Sequence, residues 1–180
     1  MWLDLIDDLV MEAKKSYEDA LRLLNRGDYY DSAEKAWRAI EYLRKAVLVA
    51  AKIPYEKAKT VSIGLPLFSD LLRGLGEKRV LDLYDKLAYK LHVMGFYEEI
   101  TQPDEIEELI MIDVKELMEA LERLLETAKR LDLRGALEKL MEIQRMRREI
   151  AKYNAKIVEM RSKYKDTLQK PMRSRRRKCS

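Results

Sequence analysis

The sequence predicts an all-α protein: an antiparallel bundle of four to five helices, followed by a long basic helix and a disordered tail. Three observations lead to this class. Helix-forming residues dominate the chain, which contains six Gly and four Pro among 180 residues. Apolar residues recur at spacings of three and four along most of the chain. Residues 134–180 contain 16 Lys and Arg against five Asp and Glu, whereas residues 1–133 contain 20 against 27.

The first two helices are predicted to form a hairpin. Gly27 ends the first helix, and Asp28 is suitably placed to cap the second. We expect Trp37 to anchor the packing between these two helices, although aromatic residues can also stack on nucleobases. The aromatic residues near this hairpin are Tyr29, Tyr30, Trp37 and Tyr42. The apolar period of the second helix passes through Ala33, Trp37, Ile40, Leu43 or Arg44, and Val47.

The middle of the chain is predicted to contain a loop and a short helix. Pro54, Gly64 and Pro66 punctuate this stretch, and the short helix LPLFSDLLRGL ends before Gly76. A further helix is expected from about Glu77 to Met94.

The segment TQPDEIEEL carries the start signal of the next helix. Pro103 suits the first helical position, and the acidic residues after it interact favourably with the helix dipole. We expect this helix to reach about Leu131, which completes a bundle over residues 1–131.

The region after Leu133 is predicted to form one long helix to about Lys170. Its apolar residues follow a seam with an average spacing of 3.5 residues. We expect this seam to pack against an acidic bundle surface of the same chain or of a second subunit. The division predicted here is a basic amphipathic extension at 132–170 and a disordered tail at 171–180. The seam consists of Ile143, Met146, Ile150, Tyr153, Ile157, Met160 and Tyr164.

The composition indicates the cellular compartment and excludes proteins built on disulfides or on membrane-spanning helices. The single cysteine, Cys179, has no partner for an intramolecular disulfide, so a reducing, cytoplasmic compartment is expected. The longest apolar run, AVLVAA at 46–51, is far shorter than the roughly 20 residues of a membrane span. Charged residues form 38% of the chain, a balance typical of thermophile proteins.

His92, the one histidine of the chain, is the first candidate for chemistry because imidazole titrates near neutral pH. On a straight helix, Asp85, Tyr89 and His92 form a stripe in which the carboxylate and the phenol could orient the imidazole. The alternative interpretation is structural. If Gly95 is the residue that ends this helix, His92 lies in its last turn and interacts with the helix dipole.

The sequence predicts neither a metal site nor a bound cofactor. One Cys and one His cannot build a zinc site of the usual composition. The glycines at 64, 74 and 76 match neither a phosphate-binding loop nor a dinucleotide fingerprint.

The basic C-terminal region is the strongest functional signal. A surface of this kind binds polyanions such as RNA or DNA by releasing condensed counterions. The alternative is a solvated region, or one docked against an acidic bundle. The candidate nucleic-acid-binding residues are Arg147, Arg148, Lys152, Lys156, Arg161, Arg173, Arg175, Arg176, Arg177 and Lys178.

Two stretches resemble a known family. YEDALRLLNRGDYYDSAEKAWRAIEYLRKAVLVAA and LYDKLAYKLHVMGFYE together resemble the archaeal PaREP-type proteins over about residues 3–128. The fold of that family is similar to the HEPN group of helical bundles. The resemblance implies a bundle that often forms homodimers. It also implies a group that contains metal-independent ribonucleases and non-catalytic relatives associated with nucleotidyltransferases or other nucleic-acid systems.

The ribonucleases of that group carry an arginine, then four to six residues, then histidine. The corresponding positions here are Asp85, Lys86 and Leu87, of which Lys86 alone is basic. Lysine lacks the planar fork with which arginine holds a phosphate. The resemblance therefore favours a non-catalytic interaction module that associates with nucleic acid through its basic C-terminal region. A metal-independent ribonuclease that uses His92, supported by Lys86 or by a second subunit, is the alternative.

Overall fold

The computed structural model describes residues 2–98 and 101–175, and no β-strand occurs within those ranges. The chain is all-α, as predicted. Two stretches of π-helix, π1 and π2, continue α-helices without a break. In chain order the elements are α1 (Trp2–Leu24), α2 (Tyr29–Ala50), α3 (Tyr55–Ala58), α4 (Val61–Gly74), α5 (Lys78–Leu87), π1 (Ala88–Tyr97), α6 (Pro103–Glu108), π2 (Leu109–Val114), α7 (Lys115–Ala128) and α8 (Arg134–Arg175).

The predicted hairpin between α1 and α2 is confirmed. Gly27 has φ of +76°, and its N–H bonds to the carbonyl of Leu24 at 3.0 Å. The N–H of Asp28 bonds to the carbonyl of Leu23 at 3.0 Å, which completes a Schellman motif. Asp28 occupies the N-cap position of α2, but its side chain makes no capping hydrogen bond. The Ser32 hydroxyl ties the two helices together by donating to the Ala20 carbonyl at 2.8 Å.

Helix α4 begins at Val61, before the predicted start at Leu65, so it includes Gly64 as well as Pro66. Proline lacks an N–H but has a φ that suits a helix. The side chains of Ile63, Leu67 and Phe68 are buried, and their burial offsets the hydrogen bond that Pro66 cannot make. Gly76, at φ of +76°, ends this segment as predicted.

Gly95 does not end the helix that contains His92, so that prediction is wrong. The backbone continues through π1 to Tyr97, and Gly95 has no left-handed φ. Its role is close packing: a Cβ there would lie 3.3 Å from the Ala33 Cβ and 3.0 Å from the Lys90 carbonyl oxygen. His92 therefore lies within a π-helix and not in the last turn of an α-helix.

Each π-helix has a carbonyl that accepts a hydrogen bond from a distant hydroxyl. The Thr101 hydroxyl donates to the Lys90 carbonyl of π1 at 3.1 Å. The Tyr17 hydroxyl donates to the Ile110 carbonyl of π2 at 3.1 Å. The first bond holds the wide turn of π1 against the segment before α6, and the second holds the wide turn of π2 against α1. The predicted start of α6 is confirmed, with Pro103 as its first residue.

The chain contains two compact units, Met1–Leu137 and Glu138–Ser180. The first unit extends past the predicted boundary at Leu131 because the Leu133 N–H bonds to the Ala51 carbonyl at 3.0 Å and Leu137 is buried.

The second unit is the rest of α8, which is helical through Pro171 to Arg175, beyond the predicted end at about Lys170. The remainder of the predicted tail, 176–180, lies outside the described residues. The seam side chains are at least 42% exposed, and their packing against an acidic surface stays a prediction. None of the helices in the described residues combines the length and the hydropathy of a membrane-spanning segment.

Candidate functional site

A cleft of about 500 Å³ lies beside His92, between side chains of α2, α4, α5 and π1. This volume is within the range of about 300–1,000 Å³ that small-molecule sites occupy. Apolar side chains form one part of the lining, with Val61, Leu65, Ala88 and Val93. The aromatic and polar lining residues are Trp37, Glu41, Ser69, Tyr84, Asp85, Tyr89 and His92.

Trp37 forms the back of this cleft and is 8% exposed. Its ring centroid lies 5.6 Å from that of His92, with the planes 26° apart, and 5.2 Å from that of Tyr84. The ring centroids of His92 and Tyr97 are 4.8 Å apart, with the planes 70° apart. Trp37 is a core residue, as predicted, and its aromatic contacts are with Tyr84 of α5 and His92 of π1.

The imidazole of His92 faces the carboxylate of Glu34 but makes no hydrogen bond to it. Its Nδ1 lies 3.6 Å from Oε2 of Glu34, which is longer than a hydrogen bond. Both atoms are buried and have no hydrogen-bond partner among the residues that the structure describes. The other oxygen of Glu34 accepts a hydrogen bond from Arg38 at 2.8 Å.

Below the cleft lies a buried ionic network that the sequence analysis did not identify. Arg44 is fully buried and donates to both oxygens of Glu41, at 2.7 and 2.9 Å, and to the Ala58 carbonyl at 3.1 Å. The Tyr84 hydroxyl donates to Glu41 Oε1 at 2.7 Å. Gly64 permits this arrangement, because a Cβ there would lie 2.2 Å from the Ala58 oxygen and 2.8 Å from Arg44 Nη1.

The network fixes the charge of its members. Burial raises the pKa of Glu41, but the hydrogen bonds and the positive charge of Arg44 outweigh burial, so the pKa of Glu41 is below its usual value. Burial, followed by the negative charge of Glu41, raises the pKa of Tyr84. Glu41 is therefore an anion and Tyr84 a neutral donor at pH 7. The pattern that could have revealed the pair is Glu41 and Arg44 at i and i+3 within an otherwise apolar helix face.

The structure brings together three of the four predicted catalytic residues. Asp85, Tyr89 and His92 line the same cleft. Lys86 does not line it, and its Nζ donates to Asp113 of π2 at 2.7 Å. The lysine predicted to support a phosphate beside His92 is therefore engaged with a carboxylate of another helix.

The candidate nucleic-acid-binding residues of α8 are exposed as far as the structure describes their side chains. Arg148, Lys152 and Lys156 follow one another every four residues, which places them on one face of the helix. Arg147 and Arg161 lie on other parts of its circumference. The backbone of Arg173 and Arg175 is part of α8. Arg176, Arg177 and Lys178 lie outside the described residues.

Neither the cleft nor the described part of α8 contains a recognisable metal centre. Across the described residues, no group of three or more His, Cys, Asp or Glu side chains is arranged to hold a metal ion.

The sequence model of the archaeal PaREP1/PaREP8 family matches residues 8–118, which is more than half of the chain. This range extends from α1 into α7 and contains all the residues that line the cleft. No curated protein and no solved structure matches the chain. The chain belongs to the archaeal PaREP1/PaREP8 family.

Proposed function

We propose that this protein is a non-catalytic interaction module that associates with RNA or DNA through the basic part of α8. The observation that carries the proposal is the exposed row of Arg148, Lys152 and Lys156. Successive members are about 6 Å apart along the axis, so the row presents a line of positive charge. Contacts between such a line and phosphates release condensed counterions, which favours binding to any polyanion.

The composition of the cleft supports a non-catalytic role. None of the residues lining it is Lys or Arg, while Glu41 and Asp85 are both among them. A phosphate that approached His92 would meet the exposed carboxylate of Asp85, while the charge of Glu41 is already compensated by the buried Arg44. Lys86, the one basic residue at the position expected for a ribonuclease arginine, is bonded to Asp113. These features disfavour the transition state of RNA cleavage, in which negative charge accumulates on the phosphate.

The resemblance to HEPN-like bundles supplies further parts of the proposal. The first unit is a HEPN-like bundle that forms a homodimer through its helices, in the cytoplasm of a thermophilic archaeon. The natural partner is a nucleic acid or a protein of a nucleic-acid system, such as one of the nucleotidyltransferase type. The seam of α8 then packs against an acidic bundle surface of either subunit.

The test is the binding of a fluorescent single-stranded oligonucleotide to the full chain and to a chain lacking residues 171–180. We expect weaker binding after the deletion, because it removes Arg173, Arg175, Arg176, Arg177 and Lys178. An oligonucleotide of the same length with an uncharged backbone is the matched control, and it should bind neither chain. Equal affinity of both chains for the charged strand would remove the tail from the mechanism.

A metal-independent ribonuclease is the second candidate, because Asp85, Tyr89 and His92 line one cleft. In that case the purified protein cuts RNA in the presence of a chelator, and His92→Ala abolishes cutting while the circular dichroism spectrum stays helical. Our proposal predicts intact RNA with both proteins. Cleavage by the wild-type protein that disappears in His92→Ala would contradict the non-catalytic proposal and support the ribonuclease.

A further inference from the structure

The geometry points to the cleft beside His92 as a binding site for a small organic cation, an ammonium group attached to an apolar or aromatic body. This site is independent of nucleic-acid binding by α8. Three features of the cleft carry the inference: its aromatic lining, the sign of its charge and its exposed apolar rim.

Aromatic rings form much of the cleft wall. Trp37, Tyr84 and Tyr89 line it together with His92, and Trp37 stacks on His92 and makes a tilted ring contact with Tyr84. The electron-rich faces of Trp and Tyr attract an ammonium group within about 6 Å of a ring centroid. Groups of such rings are the usual receptors for alkylated ammonium ligands.

The charge of the lining selects a cation. Glu41 is already neutralised, because both of its oxygens accept hydrogen bonds from the buried guanidinium of Arg44. Asp85 contributes a second carboxylate, and it is exposed on α5. No Lys or Arg is among the residues that line the cleft, so the surface next to Asp85 has a net negative charge when His92 is neutral. An ammonium group can bond to Asp85, whereas a phosphate or a carboxylate is repelled.

The rim of the cleft favours an organic ligand over an inorganic ion. Val61, Tyr89 and Val93 line the cleft while being 65%, 57% and 37% exposed. A hydrocarbon or aromatic body that covers these side chains gains hydrophobic stabilisation. A metal ion would need several converging oxygen or nitrogen ligands, and no such group of His, Cys, Asp or Glu occurs in the described residues.

A series of three related probes tests the inference. Trp2→Phe leaves Trp37 as the one tryptophan, because the chain contains two. The fluorescence of Trp37 is followed at pH 7 during titration with three molecules of similar size. They are a cation, 2-phenylethylamine, a neutral molecule, 2-phenylethanol, and an anion, phenylacetate. We expect saturable binding of the amine, binding of the alcohol weaker by about tenfold, and no binding of phenylacetate. Equal affinity for amine and alcohol, or no saturable response to the amine, would overturn the proposal.

Three variants locate the site. Asp85→Asn should weaken amine binding by about tenfold and leave the alcohol unaffected, because it removes one charge-assisted contact without a change in size. Asp82→Asn is the matched control, since Asp82 is exposed on α5 one turn earlier and does not line the cleft. Tyr89→Leu should weaken binding of the amine more than binding of the alcohol, because leucine keeps the apolar bulk but lacks the aromatic ring. An amine affinity that is the same in Asp85→Asn and Asp82→Asn would exclude this cleft.

Discussion

Arg44 is wholly buried in the bundle and forms a two-point ion pair with Glu41, one turn earlier on α2. A charge removed from water is costly unless its partner and its remaining donors are satisfied. Here the Ala58 carbonyl and the Tyr84 hydroxyl complete the network. The network lies directly under the cleft, since Glu41 and Tyr84 are also lining residues. The stability of the bundle and the shape of the cleft are therefore linked.

Loss of the Glu41 charge should destabilise the bundle strongly. Glu41→Gln leaves the Arg44 guanidinium buried without a counter-charge, and we expect the free energy of unfolding to fall by about 3–5 kcal/mol. Urea denaturation followed by circular dichroism measures this change. Glu56→Gln is the matched control, because Glu56 forms an exposed pair with Lys59 at 2.7 Å. That substitution should cost about 1 kcal/mol or less. Similar losses for the two variants would mean that Arg44 is not isolated from water.

The same pair should make stability depend on pH in the acid range. The pKa of Glu41 is lower in the folded chain than in the unfolded chain, where a glutamate titrates at about 4.3. The ionised carboxylate therefore stabilises the fold fully above that pH, and its contribution is lost as the pH falls through the folded pKa. The difference in unfolding free energy between wild type and Glu41→Gln should shrink below about pH 4.3. A difference that stays constant from pH 6 to pH 3 would contradict the assignment.

Gly64 and Gly74 should respond in opposite ways to replacement by alanine. Gly64→Ala places a Cβ 2.2 Å from the Ala58 oxygen, so the backbone must shift and the contact to Arg44 is disturbed. We expect a loss of about 2–3 kcal/mol in the free energy of unfolding. A Cβ at Gly74, in the same helix, meets nothing within 4 Å. Gly74→Ala should raise the free energy of unfolding by about 0.5–1 kcal/mol. Equal effects in thermal denaturation would show that α4 is not packed closely at Gly64.

Lys52 is the one non-glycine residue with positive φ in the described chain, at 70°. It ends α2 in a Schellman motif, with its N–H bonded to Val49 and the Ile53 N–H bonded to Leu48. Lys52→Gly relieves the left-handed strain and should raise the free energy of unfolding by about 0.5–1 kcal/mol, after the entropy cost of glycine. Lys115→Gly, at an exposed helical position, should instead cost about 1 kcal/mol. Destabilisation by both substitutions would contradict the cap geometry.

The sequence predicts the α-helices well and the π-helices not at all. Gly27, Gly76 and Pro103 act at helix boundaries as their backbone preferences require. Apolar spacings of three and four do not distinguish an α-turn from a π-turn, so π1 and π2 were not predicted. A glycine after an apolar run predicts a helix end, but at Gly95 the missing Cβ instead permits close contact with Ala33.

The cleft could be predicted only in part, because its chemistry depends on contacts between distant segments. The spacing of Asp85, Tyr89 and His92 along one helix was visible in the sequence, and these residues share the cleft. The engagement of Lys86 by Asp113 joins residues 27 positions apart, and no local pattern indicates it. Glu41 and Arg44 do share a local i, i+3 spacing, but the burial of Arg44 does not follow from it, because a basic residue in an apolar helix is ordinarily expected to reach solvent.

The salt dependence of nucleic-acid binding tests the central claim most directly. The full chain and a variant with Arg148→Gln, Lys152→Gln and Lys156→Gln are titrated with a labelled single strand at several salt concentrations. We expect the slope of log affinity against log salt to become shallower by about 2, at about 0.7 for each phosphate that the variant no longer neutralises. A control variant with Lys15→Gln, Lys78→Gln and Arg123→Gln removes the same charge from exposed positions of the bundle and should keep the wild-type slope. An unchanged slope in the α8 variant, or an equal change in both, would contradict binding through the basic helix.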